Sequence, residues 1–199
     1  MDLALIAVVF GTIFVVELPD KTFIAALVLS TRYQPLAVWV GVGLAFLAQT
    51  LIAVLAGHLA TYLPEMLVRS VALVIFLVGA VVLFRAAPGA DEGEKETEEE
   101  YGKAADARTG LKAVGASFLV LFAAEWGDLS QLLTISMIAR YGHPVSVFIG
   151  AWAALLTVSG LAVLAGRVLL RHIRLSTVHY VGSAVCLVLA GVTGWEILR

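Results

Sequence analysis

The sequence has few charged residues. Only 14% of its 199 residues are Asp, Glu, Lys or Arg, against about 25% in an average soluble domain. Hydrophobic residues make up 61%, and the mean hydropathy is +0.98. A soluble core could not bury so much apolar surface, so the composition predicts an integral membrane protein whose main partner is the lipid bilayer. We expect no nucleic-acid partner.

Cysteine is almost absent, and the amino-terminal segment has no basic residues. Cys186 is the single cysteine, which excludes an intramolecular disulfide. Its apolar neighbours predict a buried side chain that packs as a small hydrophobe. The first residues, MDLALIAVVFGTIFVVE, also lack an A-x-A-like cleavage site. We therefore expect a retained helix at the amino terminus and no cleaved signal peptide.

Proline is rare within the apolar segments. Of the five prolines, only Pro19 lies inside a segment, and the others lie at or between segment ends. An apolar run of about 20 residues crosses a bilayer as a helix, because lipid cannot hydrogen-bond to the backbone. The expected fold is therefore an all-α membrane protein with six transmembrane helices. Their approximate limits are residues 3–30, 36–57, 66–85, 111–139, 145–168 and 177–197.

The two halves of the sequence resemble each other. Each half has three predicted spans, an odd number, so the second half must enter the membrane from the opposite side. This arrangement is an inverted repeat, which places a substrate site near the bilayer midplane between the halves. The recurring motifs are E-L-P-D-K-T at 17–22 and E-W-G-D-L-S at 125–130, R-Y-Q-P at 32–35 and R-Y-G-H-P at 140–144, and V-L-A-G at 54–57 and 163–166. The predicted units are an N-terminal three-helix repeat at 1–87, an acidic cytoplasmic linker at 88–110 and a C-terminal three-helix repeat at 111–199.

Charge is concentrated outside the spans. The linker contains eight acidic and three basic residues, and its low apolar content predicts a solvated tether. Lys and Arg residues are more frequent on the linker side, which predicts a cytoplasmic linker with both termini outside. The linker side carries Arg32, Arg85, Lys95, Lys103, Arg108, Lys112, Arg167, Arg171 and Arg174, and the other side carries Arg69, Arg140 and Arg199.

Four acidic residues lie deep in the predicted spans. They are Glu17, Asp20, Glu125 and Asp128. A charge at the centre of a membrane helix costs about 2.5–3.5 kcal/mol, so four of them favour a functional role. Residues i and i+3 share one face of a helix. We therefore expect the two acids of each pair to point the same way, and the inverted repeat to bring both pairs together.

The neighbouring polar residues supply further oxygen atoms. Thr22 and Ser130 carry hydroxyl groups, and Gln131 and Gln49 carry amides. Neither His nor Cys lies near the two motifs, so the donor set favours Mn²⁺, Ca²⁺ or Mg²⁺ over zinc and copper. Protons can neutralise the excess charge, because burial and like-charge crowding favour the neutral form of a carboxyl group. A site that holds either a divalent cation or protons is the minimum for cation/proton exchange.

The two motifs resemble a known family. Paired E-x-G-D-(K/R)-(T/S) motifs on the first and fourth of six spans, with an acidic linker, are similar to those of the Gdt-type cation/proton exchangers. The resemblance implies transport of Mn²⁺ or Ca²⁺, no prosthetic group and, for a manganese exporter of the bacterial type, location in the inner membrane. Two positions depart from the family motif: Pro19 stands where Gly is usual, and Leu129 stands where Lys or Arg is usual. The resemblance implies ion ligation by Glu17, Asp20, Glu125 and Asp128, supported by Thr22, Ser130 and Gln131.

Our first hypothesis is a secondary transporter, not an enzyme, that exchanges Mn²⁺, or else Ca²⁺, for protons by alternating access. One alternative is an intramembrane aspartyl hydrolase with Asp20 and Asp128 as its dyad, although that leaves both glutamates unexplained. A cation channel without proton coupling and a non-transporting scaffold are further alternatives. The sequence leaves the oligomeric state open, and a homo-oligomer is compatible with it.

Overall fold

The computed structural model describes residues 1–18, 20–90, 109–172 and 175–198. These residues form α-helices and one short 3₁₀ turn, Ala87–Gly89, and no strand occurs among them. Most of the predicted linker, residues 91–108, lies outside the described part of the chain, so its role as a tether stays a prediction. The helices are α1 (Leu3–Glu17), α2 (Lys21–Arg32), α3 (Pro35–Ala60), α4 (Glu65–Ala86), α5 (Leu111–Ala124), α6 (Leu129–Tyr141), α7 (Pro144–His172) and α8 (Leu175–Leu198).

The helices account for the six predicted spans, and two of the spans are broken. Four helices are long and apolar enough to cross a membrane: α3, α4, α7 and α8. The other two spans are bent pairs, α1 with α2 at 70° and α5 with α6 at 71°. The predicted all-α membrane fold is confirmed, with the first and fourth spans each divided into two half-helices.

Local sequence explains where several helices begin and end. The Asp2 carboxylate accepts a hydrogen bond from the Leu5 N–H at 3.1 Å and caps α1. Pro35 and Pro144 begin α3 and α7, where the absent N–H of proline leaves no helical hydrogen bond unmade. Gly142 follows α6 with a φ of 66°, a left-handed conformation that stops a helix and that glycine adopts without strain.

The bundle has two ends, which we call the terminal face and the linker face. At the terminal face, the Asp2 N–H donates to the Ser146 hydroxyl at 3.0 Å, which joins the starts of α1 and α7. The Arg69 guanidinium donates to the Glu196 carbonyl at 3.1 Å, which joins the start of α4 to the end of α8. Helices α4 and α7 end at the linker face, and α5 begins there. Thus α1 runs inward from the terminal face and α5 runs inward from the linker face, as an inverted repeat requires.

The two repeats pack against each other through equivalent helices. The main contacts are α4 with α8, α3 with α5, α1 with α7, and α3 with α7. The Trp152 indole N–H donates to the Gly43 carbonyl at 3.3 Å where α7 crosses α3. These two residues are 109 positions apart, the same offset that separates Gly41 from Gly150. Equivalent positions of the two repeats therefore meet at this crossing, on the pseudo-two-fold axis.

Two equivalent glycines bring the half-helices close to their partners. A Cβ added at Gly150 of α7 would lie 2.8 Å from the Ile6 carbonyl oxygen of α1. A Cβ added at Gly41 of α3 would overlap the Val114 carbonyl oxygen of α5. Because neither glycine has a side chain, α1 and α5 approach α7 and α3 almost backbone to backbone. Ile6 and Val114 lie near the outer ends of α1 and α5, so this packing holds the start of each half-helix that leads to a motif glutamate.

Candidate cation site

The four deep acids lie at the two helix breaks. Glu17 is the last residue of α1, and Asp20 caps the start of α2. Glu125 follows the last residue of α5, and Asp128 caps the start of α6. The breaks that bend the first and fourth spans therefore also bring two acids from each repeat to the same place.

Each aspartate caps the half-helix that follows it. Asp20 Oδ1 accepts a hydrogen bond from the Lys21 N–H at 2.7 Å, and Asp128 Oδ2 accepts one from the Ser130 N–H at 3.1 Å. The amino-terminal end of a helix carries a partial positive charge. Since α2 and α6 both begin at the acids, two helix ends favour negative charge there. The motif spacing alone did not predict this contribution.

The break in the second repeat depends on glycine. Gly127 has a φ of 79°, in the left-handed region where a residue with a Cβ would be strained. Its N–H donates to Gln131 Oε1 at 2.9 Å. The Gln131 side chain, from the first turn of α6, therefore stabilises the turn that precedes this helix. The equivalent position in the first repeat, Pro19, lies outside the described residues.

The four carboxylates form one compact cluster. One oxygen from each of Glu17, Asp20, Glu125 and Asp128 lies within 4.8 Å of the other three. Glu17 is 1% exposed and Glu125 is 3% exposed. Two unit charges 4.8 Å apart repel by roughly 3.5 kcal/mol at an effective dielectric constant near 20, which gives on the order of 20 kcal/mol for four charges. That exceeds the typical folding free energy of about 5–15 kcal/mol, so the cluster needs a cation or protons.

The dimensions of the cluster fit a hard divalent cation. Ca²⁺ binds oxygen at about 2.3–2.6 Å, so oxygens on opposite sides of the ion are about 4.6–5.2 Å apart. The spread of 4.8 Å lies within that range. Mg²⁺ binds oxygen at about 2.0–2.1 Å, and the carboxylates would have to close by roughly 0.6 Å around it. Mn²⁺ prefers the same oxygen ligands.

The motif hydroxyls lie between the acids of the two repeats. The Thr22 hydroxyl donates to Glu17 Oε2 at 3.1 Å and also lies within hydrogen-bonding reach of Glu125. The Ser130 hydroxyl of the second repeat lies within reach of Glu17 of the first. The remaining oxygen of each glutamate, Oε1, is buried without a hydrogen-bond partner among the described residues. An unpaired buried acceptor costs about 1–3 kcal/mol, which a bound cation or proton would offset.

The two predicted glutamines form a chain of hydrogen bonds beside the cluster. The Gln131 amide nitrogen donates to Gln49 Oε1 at 2.7 Å, and the Gln49 amide nitrogen donates to the Phe122 carbonyl at 2.8 Å. Both amide oxygens accept protein hydrogen bonds in this structure. Gln49 and Gln131 therefore lie at the edge of the cluster and link α3 to the break between α5 and α6. Their role as ligands stays a prediction.

A small cavity adjoins the cluster on the side of the glutamines. Its volume is about 10 Å³, and Glu125, Gln49 and Gln131 line it together with Thr50 and Thr134. That is close to the space that one water molecule needs. Thr50 and Thr134 were not among the predicted ligands, because their distance from the cluster depends on how α3 and α6 pack.

The position after each motif aspartate differs between the repeats. Lys21 is exposed, whereas Leu129 is partly buried and packs against the core. The Leu129 Cδ1 atom lies 3.0 Å from the position that a Cβ would take at Gly79, and Cys186 lies beside it. Leu129 thus occupies space that Gly79 leaves free on α4. A lysine or arginine in the place of the Leu129 side chain would bring its charge against these apolar groups.

A second polar cluster, at the terminal face, was missed from the sequence. The Arg140 guanidinium pairs with the Glu196 carboxylate at 2.9 Å and donates to the Thr193 hydroxyl. The Arg140 side chain is 3% exposed. These contacts tie the end of α6 to the end of α8. No short motif links Arg140 to Glu196, because 56 residues separate them.

The fold and the cluster define a class: membrane proteins of two inverted repeats, with broken helices that bring polar residues to the repeat interface, as in secondary transporters. The family described as "Divalent cation/proton antiporter GDT1" matches residues 5–91 and 113–199, one match for each repeat. The chain belongs to the GDT1 family. The resemblance seen in the two motifs is therefore confirmed over nearly the whole sequence.

Several relatives cover most of the chain. "Protein PAM71, chloroplastic" of Arabidopsis thaliana is 34% identical over 95% of this chain, and the match spans 56% of that protein. A GDT1-like protein of Synechocystis is 32% identical over 92% of this chain and 93% of its own length. "GDT1-like protein 1, chloroplastic" of Oryza sativa subsp. indica is 29% identical over 96% of this chain and 61% of its own length. The chain thus spans little more than half of the two chloroplast proteins. No solved structure matches it significantly.

Proposed function

We propose that this protein is a secondary transporter that exchanges a divalent cation for protons and that the four-carboxylate cluster is the shared site. The main support for this proposal is that one oxygen from each of the four carboxylates lies within 4.8 Å of the others at the interface of the repeats. Because the four carboxylates repel one another, the cluster favours bound positive charge. A divalent ion and protons are the two forms of that charge that a transporter of this family can exchange.

Among cations, we propose Mn²⁺ first and Ca²⁺ second as the transported substrate. The donors are carboxylate, hydroxyl and amide oxygens, which suit both ions and do not suit soft metals. The preference for Mn²⁺ rests on the similarity of the motifs to those of bacterial manganese exporters. The size of the cluster is compatible with both ions.

The proposed ligands have different roles. Glu17 and Glu125 would bind through the Oε1 atoms that lack partners in this structure. Asp20 and Asp128 would bind while still capping their helices, because a carboxylate has a second oxygen. Thr22 and Ser130 orient the glutamates, and Gln49 and Gln131 complete the edge of the site.

We propose alternating access as the mechanism, with the repeat at 1–87 moving against the repeat at 111–199. The segment 88–110 would lie in the cytoplasm and both termini outside, as the distribution of Lys and Arg predicts. In a bacterial inner membrane, an inward proton gradient would then drive export of the cation.

The test is cation flux in sealed liposomes that contain the purified protein. Asp20→Asn and Asp128→Asn should each lower the Mn²⁺ flux at least about tenfold, because each removes a charged ligand. Asparagine can still cap a helix, so both variants should fold. Asp2→Asn is the matched control: the same change at the cap of α1, far from the cluster, should leave the flux unchanged. Wild-type flux in a folded Asp128→Asn variant would refute the assignment of the site.

A further inference from the structure

The surroundings of the carboxylate cluster differ between the two repeats. The repeats align at an offset of 108 residues between α2 and α6 and of 109 between α3 and α7. A symmetric transporter would have similar residues at equivalent positions next to the cluster. Instead, three polar residues of one side correspond to apolar residues of the other, whereas Thr50 corresponds to another hydroxyl residue, Ser159. The pairs are Gln131 and Phe23, Thr134 and Ala26, and Gln49 and Val158.

The polar residues lie between the cluster and the terminal face. Helices α3 and α6 both run toward that face. Thr134 lies one turn after Ser130 on α6, and Thr50 follows Gln49 on α3. The cavity of about 10 Å³ lies here, and Glu125, whose Oε1 has no hydrogen-bond partner among the described residues, contributes to its wall. Three apolar residues, Phe46, Ala53 and Leu155, also line the cavity, so polar side chains form only part of its wall.

A close contact closes this polar side toward the terminal face. A Cβ added at Gly57 of α3 would lie 2.8 Å from the Cβ of Ile138 on α6. Gly57 and Ile138 lie beyond the cavity on their helices. A small separation of α3 from α6 at this point would connect the cavity with water at the terminal face.

The equivalent side, toward the linker face, is apolar and tightly buried. Phe23 is 1% exposed, Val158 is 2% exposed and Ala26 is fully buried. All three belong to the hydrophobic core. Phe23 is the residue after Thr22, whose hydroxyl donates to Glu17, and it occupies on α2 the position that Gln131 occupies on α6. An ion that moves between the cluster and the linker face along α2 and α7 meets no amide there.

We propose that the two access routes are chemically unequal. A polar route between α3 and α6, lined by Gln49, Thr50, Gln131 and Thr134, leads from the cluster toward the terminal face and ends at the contact of Gly57 with Ile138. An apolar barrier centred on Phe23 separates the cluster from the linker face. The barrier makes Phe23 a determinant of access to the site, since a cation must lose its water to pass an aromatic ring.

This inference rests on the proposed function, but its test does not need transport. The background is the full-length chain with its single cysteine replaced, Cys186→Ala. Thr50→Cys and Ser159→Cys then place one thiol each at equivalent positions on the polar and apolar routes. Both positions are buried, at 3% and 2% exposure, and both hydroxyls donate to a carbonyl of their own helix. A membrane-impermeant, cationic thiol reagent is added to vesicles sorted by orientation with a C-terminal affinity tag.

The expected result is one-sided labelling. Thr50→Cys should react from the terminal face at least about tenfold faster than Ser159→Cys reacts from the linker face, because a cationic reagent seldom enters an apolar segment. Mn²⁺ should slow the labelling of Thr50→Cys. Equal rates for the two thiols, or faster labelling of Ser159→Cys, would overturn the proposal.

Removing the barrier provides a second, independent readout. Phe23→Gln, which copies the residue of the other repeat, should raise the linker-face labelling of Ser159→Cys by about tenfold or more. Phe23→Leu keeps an apolar side chain and should leave that rate low, which separates polarity from a general loosening of the helix. An equal increase in both variants would contradict the barrier. If labelling is one-sided but no cation is transported, the proposed function fails and the unequal routes stand.

Discussion

Glu125 and Glu196 each lie near the end of a helix, Glu125 at the break between α5 and α6 and Glu196 at the terminal face, and their surroundings are opposite. Glu125 is 3% exposed and has three other carboxylates within the cluster, whereas Glu196 pairs with Arg140 at 2.9 Å. Removing the charge of Glu125 relieves repulsion, and removing the charge of Glu196 leaves the buried Arg140 guanidinium with a weaker partner. The same chemical change should therefore have opposite effects on stability at the two positions.

We predict that Glu125→Gln raises the melting temperature of the cation-free protein, and that Glu196→Gln lowers it. A change of about 1 kcal/mol corresponds to roughly 2–4 °C for a chain of this size. Thermal unfolding in detergent with a chelator present, followed by tryptophan fluorescence, measures both variants against the wild type. Added Mn²⁺ should stabilise the wild type and Glu196→Gln, but not Glu125→Gln. A lower melting temperature for Glu125→Gln would mean that the cluster carries little repulsion.

The four acids could be predicted from the sequence, but their hydrogen-bonding neighbours could be predicted only in part. Glu17 and Glu125 are conspicuous because a buried charge in an apolar span is costly. Gln49 was recognisable as a polar residue in a span, but its bond to Phe122 depends on which face of α3 meets α5. The pairing of Arg140 with Glu196 likewise arises only when α6 and α8 end at the same face.

At the scale of helices, the breaks in the first and fourth spans follow from the motif, but their angles do not. Pro19 and Gly127 predict a weakened helix between the two acids of each pair. The bends of 70° and 71° also depend on the packing of α1 against α7 and of α5 against α3. Those contacts require that residues 41 and 150 have no side chain. The sequence shows that Gly41 and Gly150 occupy equivalent positions in the two repeats, but it does not show what they contact.

We predict that Gly41→Ala and Gly150→Ala each destabilise the protein by about 1–3 kcal/mol, because the added methyl group meets backbone atoms that cannot move aside easily. Gly115→Ala on α5 is the matched control, since no atom lies within 4 Å of its added Cβ. Alanine there should be neutral or stabilise the helix by up to about 1 kcal/mol. Thermal unfolding in detergent compares the three variants. If Gly41→Ala were as stable as Gly115→Ala, the result would contradict the close packing of α3 against α5 at Gly41.

At the scale of the whole molecule, the odd number of spans in each repeat was enough to predict the inversion. The contacts of α4 with α8 and of α3 with α5 show that the repeats form one bundle and not two separate domains. The difference between the two sides of the cluster was not predicted, although Phe23 and Gln131 are both visible in the sequence. Their equivalence becomes meaningful only when α2 and α6 are placed on opposite sides of one site.

The inverted arrangement of the repeats has one main consequence for function. If one cluster serves both faces of the bundle, as we propose, a cation and protons occupy it in turn. A channel would need a continuous polar path, whereas Phe23 and Val158, which are equivalent to Gln131 and Gln49, are apolar and only 1% and 2% exposed. Exchange, rather than flow down a gradient alone, is therefore the behaviour that we predict.

The most direct test of this account measures cation uptake and internal pH in the same sealed liposomes. Purified wild-type protein is reconstituted with a proton-sensitive dye inside, and the membrane potential is clamped with potassium and valinomycin. Mn²⁺, Ca²⁺ and Mg²⁺ are then added in turn. We predict that the wild type takes up Mn²⁺, and Ca²⁺ to a smaller extent, and that protons leave the liposomes in a fixed ratio to the cation. Glu125→Gln should show neither cation uptake nor proton exit. Uptake of Mn²⁺ without any change in internal pH would contradict this account.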